Sequence, residues 1–197
     1  REGENLETAQ VFAPELQTLV NLQGESTQNR VHNISFEGLT FAHTDWNLYE
    51  IEGSTGRATV QGAAGIIAFA DGNWHPSIYR AYDVGPGAVM ASSASELQFE
   101  KNTICNTGND GLSLVNDVTD TIVNGNIVYD LAGSALLIGH PQHVYIGDKG
   151  GNKGSYSDEE KYDVGIEGAC QNIAITNNFI SGTSKMFWGD PGIMVFL

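Results

Sequence analysis

Two stretches of this chain, residues 97–108 and 121–132, carry one pattern of apolar and polar residues at an offset of 24 positions. Phe99 falls on Val123, Asn102 on Asn126 and Ile104 on Val128, and the same offset relates Leu112 to Leu136. A fixed period of this length means that one supersecondary unit is stacked on copies of itself, because so short a unit cannot bury its apolar face alone. A third copy stands at residues 31–44, where Ile34, Phe36 and Phe41 take the places of Leu97, Phe99 and Ile104. A fourth begins at Cys170, with Asn178 placed 52 residues after Asn126, one period plus a 28-residue excursion. Residues 16–22 alternate as a strand entering the stack, and residues 193–197 read as the first strand of a further copy.

Within each copy apolar residues alternate with period two on either side of a bend, as half-buried strands require, and helical periodicity is absent. Short strands, one coil per repeat and no tight two-residue hairpins predict an all-β fold: a right-handed parallel β-helix, a solenoid spanning residues 1–197 as one domain. A hairpin meander is the weaker alternative. Two long insertions interrupt the repeat. The first, residues 45–86, is rich in glycine and aromatics and holds a strand of its own within residues 63–70. The second, residues 140–169, is polar and glycine-rich. A solenoid end needs a cap, and Leu197 ends an apolar strand without one. The expectation is therefore a piece of a longer solenoid, whose remainder covers the uncapped end.

Charge narrows the partners. Aspartate and glutamate number 24 against nine lysines and arginines, a formal net charge of −15. Such a surface repels nucleic acid and anionic membranes, and it suits an anionic polysaccharide only where a divalent cation such as Ca²⁺ bridges the like charges. No apolar run of the length that spans a bilayer occurs, and the first five residues are not a signal peptide. The two cysteines, Cys105 and Cys170, are too few for a disulfide framework, fall in different copies and are expected as free thiols. No phosphate-binding glycine loop, dinucleotide fingerprint, nucleophile elbow or Cys-x-x-Cys pair is present.

The polar columns of the stack hold the candidates for chemistry. Asn102, Asn126 and Asn178 share one column and read as a structural ladder of hydrogen-bonded amides. The next column holds His43, Asn106 and Asp130. Neighbouring coils stand about 4.8 Å apart, so an acid here can reach a second acid across the separations that glycosidic hydrolysis uses. The competing reading of this column is turn residues capping a bend. Asp110, at the turn entering a strand, suits a general acid or nucleophile, although Asp-Gly is also an ordinary turn pair. His140, His143 and Asp148 form the densest cluster of chemical groups. Two histidines and an aspartate could ligate a metal, but Pro141 and the extended backbone break the helical spacing that makes such a set specific. A hydrogen-bonding or acid/base pair at a cleft floor is the leading reading, beside metal ligation and a plain structural role. In the insertion, Trp46, Trp74 and His75 could form a sugar-stacking platform, or pack the insertion onto the stack. Glu167, with Asp163, could face the same cleft.

The segment from Phe36 to Trp46, Phe-Glu-Gly-Leu-Thr-Phe-Ala-His-Thr-Asp-Trp, and that from Gly139 to Asp148 resemble bacterial right-handed parallel β-helix proteins acting on glycans. Within that group the chain is similar to the glycoside hydrolases that include α-L-fucosidases and xylanases. The resemblance runs from Val11 onward. It implies a secreted, periplasmic or cell-surface enzyme, longer than this chain, that cleaves glycosidic bonds with acidic residues on the solenoid face. Members carry an acidic residue after the Ile-Gly of the strand ending here at Gly139. This chain has His140 there, so no carboxylate is carried over to that position.

The leading expectation is a glycoside hydrolase segment with Asp110 and Asp130 as its carboxylates, assisted by His140, His143 and Asp148. His43, Trp46, Trp74, His75 and Glu167 would line the carbohydrate site, with no metal required. A uronate lyase or epimerase, often Ca²⁺-dependent, needs basic residues that the columns lack apart from Lys101. A non-catalytic glycan-binding or adhesive solenoid is the third class.

Overall fold

A computed structural model describes residue 5 and residues 7–47, 54–57, 66–70, 79–140, 168–187 and 189–196. The expected cluster residues His143, Asp148, Asp163 and Glu167, and the insertion's Trp74 and His75, lie outside the described residues. Every regular element described is a β-strand. No helix among the described residues is long and apolar enough to cross a membrane.

The strands are β1 (Val20–Gln23), β2 (Val31–Glu37), β3 (Thr40–Ala42), β4 (Ser54–Arg57), β5 (Ile66–Ala70), β6 (Tyr79–Val84), β7 (Gly87–Glu100) and β8 (Thr103–Thr107). After them come β9 (Asp110–Asn124), β10 (Ile127–Leu131), β11 (Leu136–Ile138), β12 (Gln171–Thr176), β13 (Phe179–Ser181) and β14 (Ile193–Val195). One parallel sheet runs β1-β7-β9-β11-β14, with β2 joining at β7 and β12 at β9. A second parallel sheet runs β13-β10-β8-β3. Strands β4, β5 and β6 pair antiparallel inside the first insertion, where residues 63–70 were expected to hold a strand.

The 24-residue offset is the hydrogen-bonding register from Ser92 onward. Before the irregularity between Ala91 and Ser92 the partners stand 23 residues apart, as Val89 and Leu112 do. Phe99 pairs with Val123, Ile104 with Val128 and Leu112 with Leu136. Ile34 pairs with Leu97, Phe36 with Phe99 and Phe41 with Ile104. Each apolar position therefore becomes a column, such as Val20–Val89–Leu112–Leu136–Ile193. Leu97, Phe99, Leu112, Leu114, Val118, Val128 and Leu131 are almost completely buried in one core. Full burial of a side chain of this size contributes roughly 1.5–3 kcal/mol. Phe36 stacks on Phe99 at 5.3 Å and meets Phe41 edge-on at 5.8 Å, which ties the two sheets together across the bend.

Two strands are longer than short repeats predict. β7 has 14 residues and β9 has 15, because each turns a corner without losing its ladder. The corners are left-handed residues in register: Asn33, Glu96, Asp120 and Asn172 all have positive φ, from 51° to 59°. Asparagine and aspartate tolerate this conformation better than most residues, which explains their recurrence there.

The asparagine column closes the next corner. Gly38, Lys101, Gly125 and Asn177 turn it with positive φ, and the residue after each is Leu39, Asn102, Asn126 or Asn178. Asn126 Oδ1 accepts from the Asn102 backbone N–H at 2.9 Å, and Asn126 Nδ2 donates to the Phe99 carbonyl at 2.8 Å. Asn102 does the same for Leu39 N–H and Phe36 C=O, and Asn178 for Asn126 N–H and Val123 C=O. Amide-to-amide bonds between neighbouring rungs, such as Asn102 Nδ2 to Asn126 Oδ1, come in addition. Each side chain thus satisfies the backbone of the rung beside it.

Candidate functional site

The second sheet ends at a corner where polar side chains gather. His43, Asn106 and Asp130 stand there in register with φ of 65°, 53° and 60°, and Gly182 follows in the same column at 59°. They are turn residues, as one reading of the column expects, and they also project chemistry outward. Asn106 Nδ2 donates to Asp130 Oδ2 at 2.8 Å, and Lys185 Nζ pairs with Asp130 Oδ1. The Asp130 side chain keeps 38% of its surface exposed. His43 lies face-on against Phe12 at 4.0 Å, and its backbone N–H donates to the Asn106 carbonyl. Two rungs separate the His43 and Asp130 positions, about 10 Å at the spacing of neighbouring strands. The corner therefore offers an imidazole, an amide, a carboxylate and an ammonium along one solvent-facing edge.

Just beyond this edge, connections from successive rungs pile onto one another, and the first insertion leaves and returns among them. Gly108 donates its N–H to Thr44 Oγ1 at 3.0 Å, and Asn109 Nδ2 donates to the Pro86 carbonyl at 3.1 Å. Trp46 is buried, packed against Gly85 and edge-on to Phe187 at 5.5 Å. It anchors the root of the insertion. Gly108 is required by close approach: a Cβ there would lie 2.6 Å from Trp46 N and 2.7 Å from the Asp45 carbonyl carbon. Both are backbone atoms, so Gly108→Ala is expected to cost about 1–3 kcal/mol in urea unfolding. Wild-type stability in that variant would show that the two connections do not touch.

Asp110 sits in the same pile, at the start of β9, and is fully buried. Its Oδ1 accepts the Ser134 backbone N–H at 2.7 Å. Gly133 makes room for it, since a Cβ at Gly133 would lie 2.5 Å from that oxygen. In this arrangement Asp110 organises the connection between β10 and β11 and presents no surface to solvent.

His140, buried at 7% exposure, belongs to the far end of the first sheet. It stands two residues beyond the Ile138–Leu114 pair, in register with Asn116. Along β9, Asp110 and Asn116 are six residues apart, about 20 Å of extended strand. Paired carboxyls of glycosidases stand about 5–9.5 Å apart, and an assisting histidine needs hydrogen-bond reach. The structure thus places Asp110 and Asp130 on connected parts of one corner and puts His140 elsewhere. Around His140, Cys170 Sγ donates to the Leu114 carbonyl at 3.3 Å, and burial pushes that thiol's pKa up. Among the described residues, no three histidine, cysteine, aspartate or glutamate side chains are grouped as a metal ion would require.

Three partners escaped the sequence reading. Lys185, on the connection after β13, pairs with Asp130 although it lies three residues past Gly182, the member of that column on its own rung. Asp190, buried at 8%, lies on the same connection, where Ser184 Oγ donates to its backbone carbonyl. Arg30 grips the buried Asp117 through Nε and a terminal nitrogen, at 3.0 and 2.5 Å. An isolated arginine before the first full copy carries no periodic signal. The partner Asp117 does, being the first residue of a left-handed corner in β9.

The chain matches no protein-family model. Nor does it match any curated protein. Among solved structures it is similar to one titled "Glycoside hydrolase", with a TM-score of 0.69 and 23% sequence identity over 99% of this chain. At that identity the likeness is one of fold. The chain spans 32% of that protein's length.

Proposed function

We propose that the two parallel sheets are a segment of a right-handed parallel β-helix, and that the protein to which this segment belongs degrades glycans by hydrolysing glycosidic bonds. The likeness of almost the whole chain to a solved protein titled "Glycoside hydrolase" carries this reading. The corner adds a chemical reason. Glycosidic hydrolysis uses two carboxyl groups held in fixed orientation, and this corner offers a solvent-facing candidate for one of them. Asp130 is that candidate, with both oxygens engaged, by Asn106 and by Lys185. Asp110 serves as a positioning residue that holds the neighbouring connection, and His43 and Asn106 offer hydrogen bonds to sugar hydroxyls. The substrate is a plant or microbial polysaccharide of low charge, in keeping with the acidic surface. The protein works outside the bacterial cytoplasm, where such polymers are found.

A second reading, a non-catalytic glycan-binding solenoid, is favoured by the complete burial of Asp110. One assay separates the readings. Incubation with a panel of neutral polysaccharides, and with a polyuronate beside them, is expected to release new reducing ends from a neutral polymer and no product absorbing in the ultraviolet from either. Unsaturated, absorbing products would replace hydrolysis by elimination, and binding without any cleavage would favour the non-catalytic reading.

A further inference from the structure

The outer face of the second sheet is apolar and open. Ile127, Tyr129 and Phe179 are 47%, 41% and 62% exposed. In the register Ile127 lies beside Phe179 and Thr103, and Tyr129 beside Ser181 and Cys105. Val128 and Ile180, which alternate with them, face the core. Cys105 is on the outer side yet only 5% exposed, beside Tyr129 in the register of β8 and β10. The strip continues as Thr40 and Thr103 on one side and ends at the Asn106–Asp130–Lys185 edge on the other.

From this geometry we infer that the outer face of β3, β8, β10 and β13 is a second carbohydrate-binding surface, a stacking strip for an uncharged polysaccharide lying along the stack. Flat aromatic faces bind the C–H faces of sugar rings, and neighbouring hydroxyl, amide and carboxylate groups take the sugar hydroxyls. Strand neighbours about 4.8 Å apart repeat on nearly the scale of successive sugars in an extended chain. Charge selects this occupant. A second copy of the chain would bring another −15, and nucleic acid or an acidic polymer would meet the same repulsion. The lysines at the strip's two edges are already paired, Lys185 with Asp130 and Lys101 with Glu37. The inference rests on reading the protein as glycan-acting, but it concerns binding alone.

The test is depletion of the protein from solution by insoluble neutral β-glucan and xylan, with Tyr129→Ala, Phe179→Ala and the double variant beside wild type. Each ring is expected to account for about a tenfold change in affinity, the double variant binding still more weakly. Both side chains are exposed, so thermal melting should be nearly unchanged and cleavage of short soluble oligosaccharides should persist. Binding that depends on the two rings with no hydrolysis at all would uphold the strip and remove the hydrolase reading. Hydrolysis by a wild type that binds neither polymer, or binds them equally well without both rings, overturns the strip. So does a dimer in sedimentation that the double variant abolishes.

Discussion

Asn126→Ala is expected to lower the free energy of unfolding by about 4 kcal/mol, within a range of roughly 2–6. The side chain is 2% exposed and serves two backbone groups of its neighbouring rung, the Asn102 N–H and the Phe99 carbonyl. Truncation leaves both without a partner in the dry interior, and each such loss costs about 1–3 kcal/mol. Asn126→Asp should recover only part of the loss, since a carboxylate accepts from Asn102 N–H but cannot donate to the Phe99 carbonyl. Asn178→Ala makes the internal comparison. Asn178 performs the same two services on the last rung of the ladder, where it is only partly buried and water can replace it. Its expected cost is about 1–2 kcal/mol. Equal costs at the two positions, read from urea midpoints, would contradict the ladder as the device that closes the corner.

Arg30→Ala should cost about 3 kcal/mol by stranding the Asp117 carboxylate, whose side chain is 6% exposed. The arginine's own one-third exposure keeps the figure at the low end of what broken buried pairs give. Asp117→Asn in the Arg30→Ala background is expected to restore most of the lost stability. It removes the stranded charge and keeps a residue that tolerates the φ of 51° found there. The non-additivity of this pair is the signature to measure. Simple addition of the two single effects would mean that the contact contributes nothing of its own.

The parallel register was legible because apolar columns repeat at a constant offset, and hydrogen-bonded partners in stacked rungs must share that offset. Ile34, Phe99, Val128 and Leu136 could be placed in their columns from the sequence alone. The Asn column could be placed too, but its main hydrogen bonds could not. Amide ladders and corner closure demand the same residue at the same spacing. The length of β7 and β9 was hidden for a related reason, since Glu96 and Asp120 look like strand breakers until their left-handed geometry shows the ladder passing through them. The site was less legible. Asp110 opens the strand β9 and Asp130 lies toward the end of β10, and nothing in the spacing tells an inward carboxylate from an outward one. His140 keeps the register of Asn116, but register along a strand says nothing of the distance to Asp110 until the strand is drawn at full length. Lys185 lies three residues past Gly182, so the repeat gives it no place in the Asp130 column.

Asp130→Asn tests most directly the proposal that a glycosidic bond is broken at the solvent-facing corner. The change is isosteric, asparagine accepts the φ of 60°, and the exposed pair with Lys185 should contribute no more than about 1 kcal/mol. Release of reducing ends from the neutral polysaccharide that wild type cleaves best should therefore fall by about 10²–10⁴-fold while the melting curve hardly moves. Wild-type rates from a well-folded Asp130→Asn protein would contradict it.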